Sequence, residues 1–422
     1  GELSKYFGAE NGNVNSDAFH RALLNDAKID QYLGASSDNS NAMDSGYARG
    51  YNRYIDTHAD QLPASCAGAE WIKPIDERDL ARLAIGVGIR YGLGRVTDQI
   101  ATAAPNQAIA ALKPIDLTLD VEKIGSNAYA FGSDLTDTGR GILLGNPHYP
   151  WQGPSRFHMA HLTLPGEIDF MGVGLIATPR LAIGFNDTIA WSHTVSTALR
   201  FTFFRLDLVP GNAMAYLVGD EERAIEAIEV AVETDAGIEN RTVYLTHLGP
   251  VVAGPNTPWN DQHVYVMRDV NYENYRTGDQ YAAMQRSTDV TQLRQALADH
   301  QGAAFVNTIA ADKAGGALYA DMSAIPNVSV ELIARCAVDQ SAGARITTLN
   351  GSDPSCDWQV DASAAAPGLM PPSQQPSLIT TTYAGNSNDS YWLSNPAMRL
   401  EGYSPIIGDE NAQRTLRTRS GL

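Results

Sequence analysis

The feature that most constrains this chain is a change of texture at residue 126. Upstream, apolar residues recur at helical spacing. Downstream, short apolar runs are cut by Gly, Pro and Asp, as strands and turns are. In the upstream part, Asp76 followed by Asp79, after Pro74, reads as a helix start with Leu80, Leu83 and Ala84 on one face. Residues 45–55 carry Tyr47, Tyr51, Tyr54 and Ile55 at helical spacing, a stripe expected to face a core. Beyond the switch, residues 129–131, 142–144, 158–164, 181–185, 201–208, 305–311 and 317–321 read as strands. Residues 289–301 read as an amphipathic helix, with Asp289 and Gln292 as its capping pair and Val290, Leu293 and Leu297 facing inward. Helices first, then mainly antiparallel strands with scattered helices, predict an α+β layered body.

At the seam, residues 101–112 dissolve into Ala with Pro105 and Gln107, and a linker-like run continues to Gly125-Ser126-Asn127-Ala128. Gly-Ser is a common turn dipeptide, and a surface turn is one reading of it. The other is chemical. A serine hydroxyl behind a glycine can attack the preceding carbonyl and shift the amide to an ester, which water then cuts. The freed α-amine, with a reference pKa of about 8, can then act as base for that same hydroxyl.

Composition closes off several alternatives. The formal charge of −18 over 422 residues disfavours nucleic acid or an anionic membrane as partner. No apolar run approaches the ~20 residues of a membrane helix. With 44% hydrophobic and 18% charged residues, the composition suits a sizeable buried core. Three cysteines, with no CxxC and no Cys/His cluster, give no sign of zinc. No DxDxDG loop appears, so neither metal nor cofactor is expected. The serine lies in no GxSxG, which counts against a strand-turn-helix nucleophile elbow. The chain opens GELSKYFG, without Met or a signal-like segment, and is expected to be a core fragment.

Four further motifs follow GSNA in order: Asn146-Pro147-His148-Tyr149-Pro150-Trp151, Ile183-Gly184-Phe185-Asn186, Ala190-Trp191-Ser192-His193-Thr194-Val195 and Asn386-Ser387-Asn388-Asp389-Ser390. Together they resemble the penicillin-acylase branch of the N-terminal-nucleophile hydrolases, nearest to the acyl-homoserine-lactone acylases and the aculeacin-type deacylases. The likeness covers nearly the whole chain. It implies a four-layer αββα sandwich, residues 1–104 as a helical α-subunit part, 105–125 as an excised spacer and 126–422 as the β-subunit core. It also implies an α/β heterodimer made from one precursor, a periplasmic or secreted location, and a small-molecule N-acyl amide as substrate. A penicillin or cephalosporin acylase, or an uncleaved non-catalytic relative, are the competing readings.

The resemblance also assigns roles. Ser126 is the nucleophile, with Gly125 on the other side of the cut, and its amine is the base. His148 matches a histidine near the nucleophile; on its own, the motif is a turn with an aromatic plug. Val195 matches the position whose backbone N–H makes half of an oxyanion hole, and Asn388 the side-chain half. Asn386 is a close rival, because two residues on one strand share a face. Arg414 matches an arginine held near the asparagine and the new N-terminus, with Arg417 and Arg419 as rivals in register. His193 is expected to be structural. Tyr149, Leu175, Phe305 and Val306 match positions that line an acyl pocket. Relatives often carry Trp where Phe305 stands, which implies room for a longer or bulkier acyl group. A secreted protein would favour a Cys336–Cys356 bridge closing about twenty residues, worth about 3 kcal/mol, over two buried thiols; Cys66 has no evident partner.

Overall fold

The computed structural model describes residues 1–108, 113–117, 125–339 and 346–422. Of the expected spacer, residues 109–112 and 118–124 lie outside the described residues. The chain is α+β, but compactness does not follow chain order. One unit gathers Gly1–Leu117, Phe201–Glu273 and Val330–Asp357; the other gathers Thr118–Arg200, Asn274–Ser329 and Trp358–Leu422.

The first unit holds the expected helices. Asp76 and Asp79 form the reciprocal capping box that starts the Glu77–Gly88 helix, whose buried positions are Leu80, Ala81 and Ile85, not Leu83 and Ala84. Ser37 caps Asp38–Thr57 through its side chain. The aromatic stripe of that helix is not core: its buried positions are Ser40, Asp44 and Ala48, while Tyr54 is exposed and stacks on His58 at 4.6 Å. This helix buries small residues spaced by four and leaves its rings to the rim. The unit's larger sheet is built on Phe201–Val209, flanked by His263–Asp269 antiparallel and Thr348–Asn350 parallel. A disulfide joins Cys336 to Cys356, with Cα atoms 5.5 Å apart.

The second unit holds the residues of the candidate site. Its seven-stranded sheet runs, in spatial order, Ser377–Thr380, Ala317–Ala320, Val306–Asp312, Ile189–Val195, Ile183–Phe185, Ile168–Leu175 and Phe157–Leu164. Helices Thr277–Arg286 and Val290–His300 cover one face. Asp289 caps the second helix by accepting from the Thr291 and Gln292 amides, and Val290, Leu293 and Leu297 pack on Trp191, Phe170, Ala310 and Leu318. Against the other face lies a three-stranded sheet, Tyr383–Asn386, Gly125–Phe131 and Ile142–His148, antiparallel throughout.

Residue size explains how closely these sheets approach. On Gly125–Phe131 the residues turned inward are Ser126, Ala128 and Ala130, all buried, while Tyr129 and Phe131 point the other way. Opposite Ala128 stands Gly145, where a Cβ would sit 2.9 Å from the Cβ of Ser192 on the facing sheet. Only glycine admits that approach.

Candidate active site

Ser126 occupies the second position of the central strand of the smaller sheet, opposite Pro147, and is 2% exposed. Its Oγ donates to the Gly125 carbonyl oxygen at 2.5 Å, so the hydroxyl rests on the peptide group it would have to attack. Its backbone N–H donates to Asn388 Oδ1, and its carbonyl accepts from Arg417 Nη2 at 3.2 Å.

Asn388 faces three partners. Its Oδ1 accepts from Ser126 N and from Arg417 Nη2, and its Nδ2 donates to the Val195 carbonyl at 3.1 Å. Two donors on one side and a carbonyl on the other fix the amide orientation by chemistry. The structure thus brings Ser126, Val195 and Asn388 together, although here the Val195 group that Asn388 meets is its carbonyl.

The same-face reasoning about Asn386 and Asn388 does not hold. The strand ends at Asn386, and Asn388 adopts φ 61°, a left-handed conformation that asparagine tolerates. Asn386 is buried and its amide is occupied. Oδ1 accepts from Thr194 Oγ1 at 2.8 Å, Asn307 Nδ2 at 3.3 Å and Asn388 N at 2.8 Å; Nδ2 donates to the Asp389 carbonyl at 2.8 Å. Asn307 accepts in turn from Tyr319 Oη at 3.0 Å. Thr194, Asn307 and Tyr319 stand on neighbouring strands and share the face turned toward the smaller sheet. The result is a buried polar seam between two sheets that holds Asn388 by its backbone. Asn307 was not singled out in the sequence, and Thr194 only as part of the motif that ends at Val195; a polar side chain at alternate positions of an apolar strand was the available signal.

Of the three arginines, the structure places Arg417, rather than the expected Arg414, beside Ser126 and Asn388. Thr415 caps the short helix Leu416–Gly421, accepting from Thr418 N at 3.2 Å, and this places Arg417 in the first turn toward the serine. Arg417 Nη2 also donates to the Ser387 carbonyl at 2.8 Å. Arg414, outside the helix, instead pairs with Asp389 at 2.6 Å and donates to Ser390 Oγ at 3.0 Å and the Asp409 carbonyl at 3.1 Å. Arg419 is exposed.

His148 ends its strand opposite Gly125, but its side chain is exposed, and among the described residues no hydrogen bond joins its ring to Ser126. His193 is 5% exposed; burial pushes its imidazole down from 6.5 to about 4, so it is neutral near pH 7. Its Nδ1 lies 3.1 Å from the Asn307 carbonyl, which fixes the tautomer with hydrogen on Nδ1. Of the residues expected to line an acyl pocket, Val306 pairs with Val195 and the Phe305 carbonyl accepts from Ser196 N at 3.0 Å, both beside the candidate site. Tyr149 stacks on Phe157 at 4.9 Å, and Phe157 pairs with Leu175; Leu175 lies two strands away from Val195 in the sheet order. No helix among the described residues is long and apolar enough to cross a membrane, and none of their His, Cys, Asp and Glu side chains form a group of three able to hold a metal.

The family profile described as Penicillin amidase matches residues 1–422. Acyl-homoserine lactone acylase PvdQ of Pseudomonas fluorescens (strain Pf0-1) is 38% identical over 444 residues, covering 100% of this chain and 57% of that protein. Aculeacin-A acylase of Actinoplanes utahensis is 38% identical over 452 residues, with the same coverage of 100% and 57%. Among solved structures, a thermostable penicillin G acylase from Alcaligenes faecalis matches with a TM-score of 0.51 at 18% identity, over 63% of this chain and 44% of that one; this is a likeness of fold. The chain therefore spans little more than half the length of the curated relatives it matches. Matched from end to end by the family profile and by these relatives, the chain belongs to the penicillin amidase family.

Proposed function

We propose that the protein is an autoprocessed acylase that hydrolyses the amide of a long-chain N-acyl substrate through an acyl-enzyme on Ser126. The observation that carries this reading is the Ser126 hydroxyl resting 2.5 Å from the Gly125 carbonyl oxygen, on a buried strand whose next neighbours are Asn388 and Arg417. In the first phase, Oγ adds to the Gly125 carbonyl carbon, and its proton passes to the Ser126 nitrogen as the C–N bond breaks to give an ester. Water then cleaves the ester to a Gly125 carboxylate and a Ser126 with free hydroxyl and amine. In the second, that amine takes the Oγ proton as Oγ adds to the substrate carbonyl. The leaving amine departs with the proton, and water then cleaves the acyl ester to a carboxylic acid. Asn388 Nδ2 and the Val195 N–H serve the developing oxyanion, a role in which one lost donor costs ~3 kcal/mol.

Two relatives are named for acyl-homoserine lactone and aculeacin A, both in keeping with a fatty N-acyl amide or a lipopeptide side chain as substrate. The Cys336–Cys356 bridge supports a periplasmic or secreted protein, since such bonds persist in oxidising compartments. The apolar outer face of the three-stranded sheet, with Ile142 and Leu144 about half exposed, is where the second helical layer of a four-layer αββα sandwich would sit. In this reading residues 1–104 and 126–422 belong to the two subunits, and 105–125 to the spacer.

Intact-mass measurement of the full-length protein, with and without a C6–C16 panel of N-acyl substrates, tests the proposal. Two chains, one beginning at Ser126, and an acyl adduct on that chain are expected; Ser126→Ala should give one chain and no adduct. A single unacylated polypeptide from the native sequence would refute it and favour an inert relative. A response to β-lactam side chains alone would favour a penicillin or cephalosporin acylase. In the same panel, Phe305→Trp should shift preference toward shorter chains, and an unchanged profile would remove Phe305 from the pocket.

A further inference from the structure

We propose that Asp389 is a positioning residue, whose carboxylate clamps the Arg414–Thr418 segment so that the Arg417 guanidinium is delivered onto Asn388 and the Ser126 carbonyl. The inference rests on the acylase reading for its catalytic consequence, and on geometry alone for the clamp.

One carboxylate ties together the loop and the segment that follows it. Asp389 Oδ1 accepts from Ser390 N at 2.8 Å and Arg414 Nη1 at 2.6 Å; Oδ2 accepts from Thr418 Oγ1 at 2.8 Å. Its main-chain carbonyl accepts from Asn386 Nδ2, which ends the strand beside Ser126. Arg414 is fixed further by the Ala412 and Asp409 carbonyls and lies 5.1 Å over the Trp392 ring. Among the described residues, Arg414, Asp389 and Thr418 make no hydrogen bond to Ser126; the residue between them, Arg417, does.

The clamp answers a physical need. Leu416–Gly421 has six residues, too few to hold a helix by its own hydrogen bonds. Its outer side, at Leu416 and Arg419, is exposed. An arginine side chain loses much rotamer freedom when it is held in one place, and fixing it on Asn388 requires a fixed backbone beneath it. Thr418 to Asp389 on one side and Tyr383 Oη to the Gly421 carbonyl at 3.0 Å on the other supply that anchorage. Arg417 then polarises the Asn388 amide through Oδ1, which makes Nδ2 the stronger donor.

Thr418→Val keeps the shape and deletes the hydroxyl, while Thr418→Ser keeps the hydroxyl. In the full-length protein, Thr418→Val should lower kcat about tenfold with KM unchanged, Thr418→Ser should restore it, and in an Arg417→Ala background Thr418→Val should add nothing. Hydrogen exchange gives a readout without turnover: in a Ser126→Ala background, Thr418→Val should speed exchange of the 386–390 segment about tenfold and Thr418→Ser should not. Equal losses in both Arg417 backgrounds, a pure KM effect, or unchanged exchange would each overturn the inference. If the native sequence neither cuts itself nor is acylated while exchange responds as stated, the acylase reading falls and the clamp stands.

Discussion

Acid should destabilise this molecule through His193, and the effect can be worked from the structure. The ring is buried on the strand that also carries Thr194 and Val195, its Nδ1 faces the Asn307 carbonyl at 3.1 Å, and Tyr281 packs edge-on at 5.9 Å. Burial holds the imidazole at about 4 against an ordinary 6.5. Because the folded value is the lower one, the unfolded chain binds the proton first. Stability from this group is therefore complete above about pH 7 and drains away as pH falls from 6.5 towards 4. The loss integrates to roughly 2 kcal/mol at pH 5 and approaches 3 near pH 4.

His193→Gln retains a donor for the Asn307 carbonyl but cannot take up a proton. It should be about 1 kcal/mol less stable than the parent at pH 7.5, from imperfect packing and a longer hydrogen bond. Below about pH 5.5 the order should invert, because only the parent suffers protonation. Urea unfolding of both proteins in a Ser126→Ala background, from pH 7.5 to 4.5, measures this, and every other titrating group cancels in the difference. Curves that stay parallel over that range would refute the reasoning.

Three further outcomes are expected. Arg417→Ala should lower kcat on the best N-acyl substrate about tenfold with little change in Tm, while Arg419→Ala, at an exposed position, should change neither; equal effects in steady-state assays would undo the register. Replacing both Cys336 and Cys356 by Ser should cost about 3 kcal/mol in denaturant unfolding, since the bridge closes a loop of 20 residues; a loss under ~1 kcal/mol would count against a stabilising bridge. Gly145→Val should force the two sheets of the second unit apart and destabilise it by about 2 kcal/mol, read as a lowered urea midpoint, whereas Gly139→Ala tests only a turn.

Much of this architecture was legible because local chemistry and tertiary structure agree. Asp76 with Asp79, and Asp289 ahead of Val290, start helices where their carboxylates meet free amides. The switch to strands at residue 126 coincides with the strand that holds Ser126. Failures came where long-range packing overrides periodicity. Tyr54 looked like core because it repeats at helical spacing, yet its helix turns Ser40, Asp44 and Ala48 inward. Asn386 and Asn388 looked equivalent because alternation assumes an unbroken strand, and the positive φ of Asn388 breaks it. The arginine register was hidden because it depends on where the last helix begins, set by the Thr415 cap rather than by spacing from Asn388. Nothing in sequence order announced that residues 201–273 and 330–357 group with the first 117.

The uncut chain also dictates an order of events. As a peptide nitrogen, Ser126 N has its lone pair delocalised into the Gly125 carbonyl and spends its one hydrogen on Asn388 Oδ1. It can orient the asparagine, but it cannot take a proton from Oγ. Asn388 commits one of its two Nδ2 hydrogens to the Val195 carbonyl. In the proposed function, breaking the Gly125–Ser126 bond would change the nitrogen and loosen what holds the asparagine. The nitrogen would gain a free lone pair, Ser126 would gain freedom to shift, and the Oδ1 contact that holds the amide against Val195 would lose its rigid partner. Arg417, which donates directly to Asn388 Oδ1 and to the Ser387 carbonyl, would keep the amide polarised while the second Nδ2 hydrogen serves a substrate oxygen. The base would thus arise only from the scission, and acyl transfer in the proposed function cannot precede it.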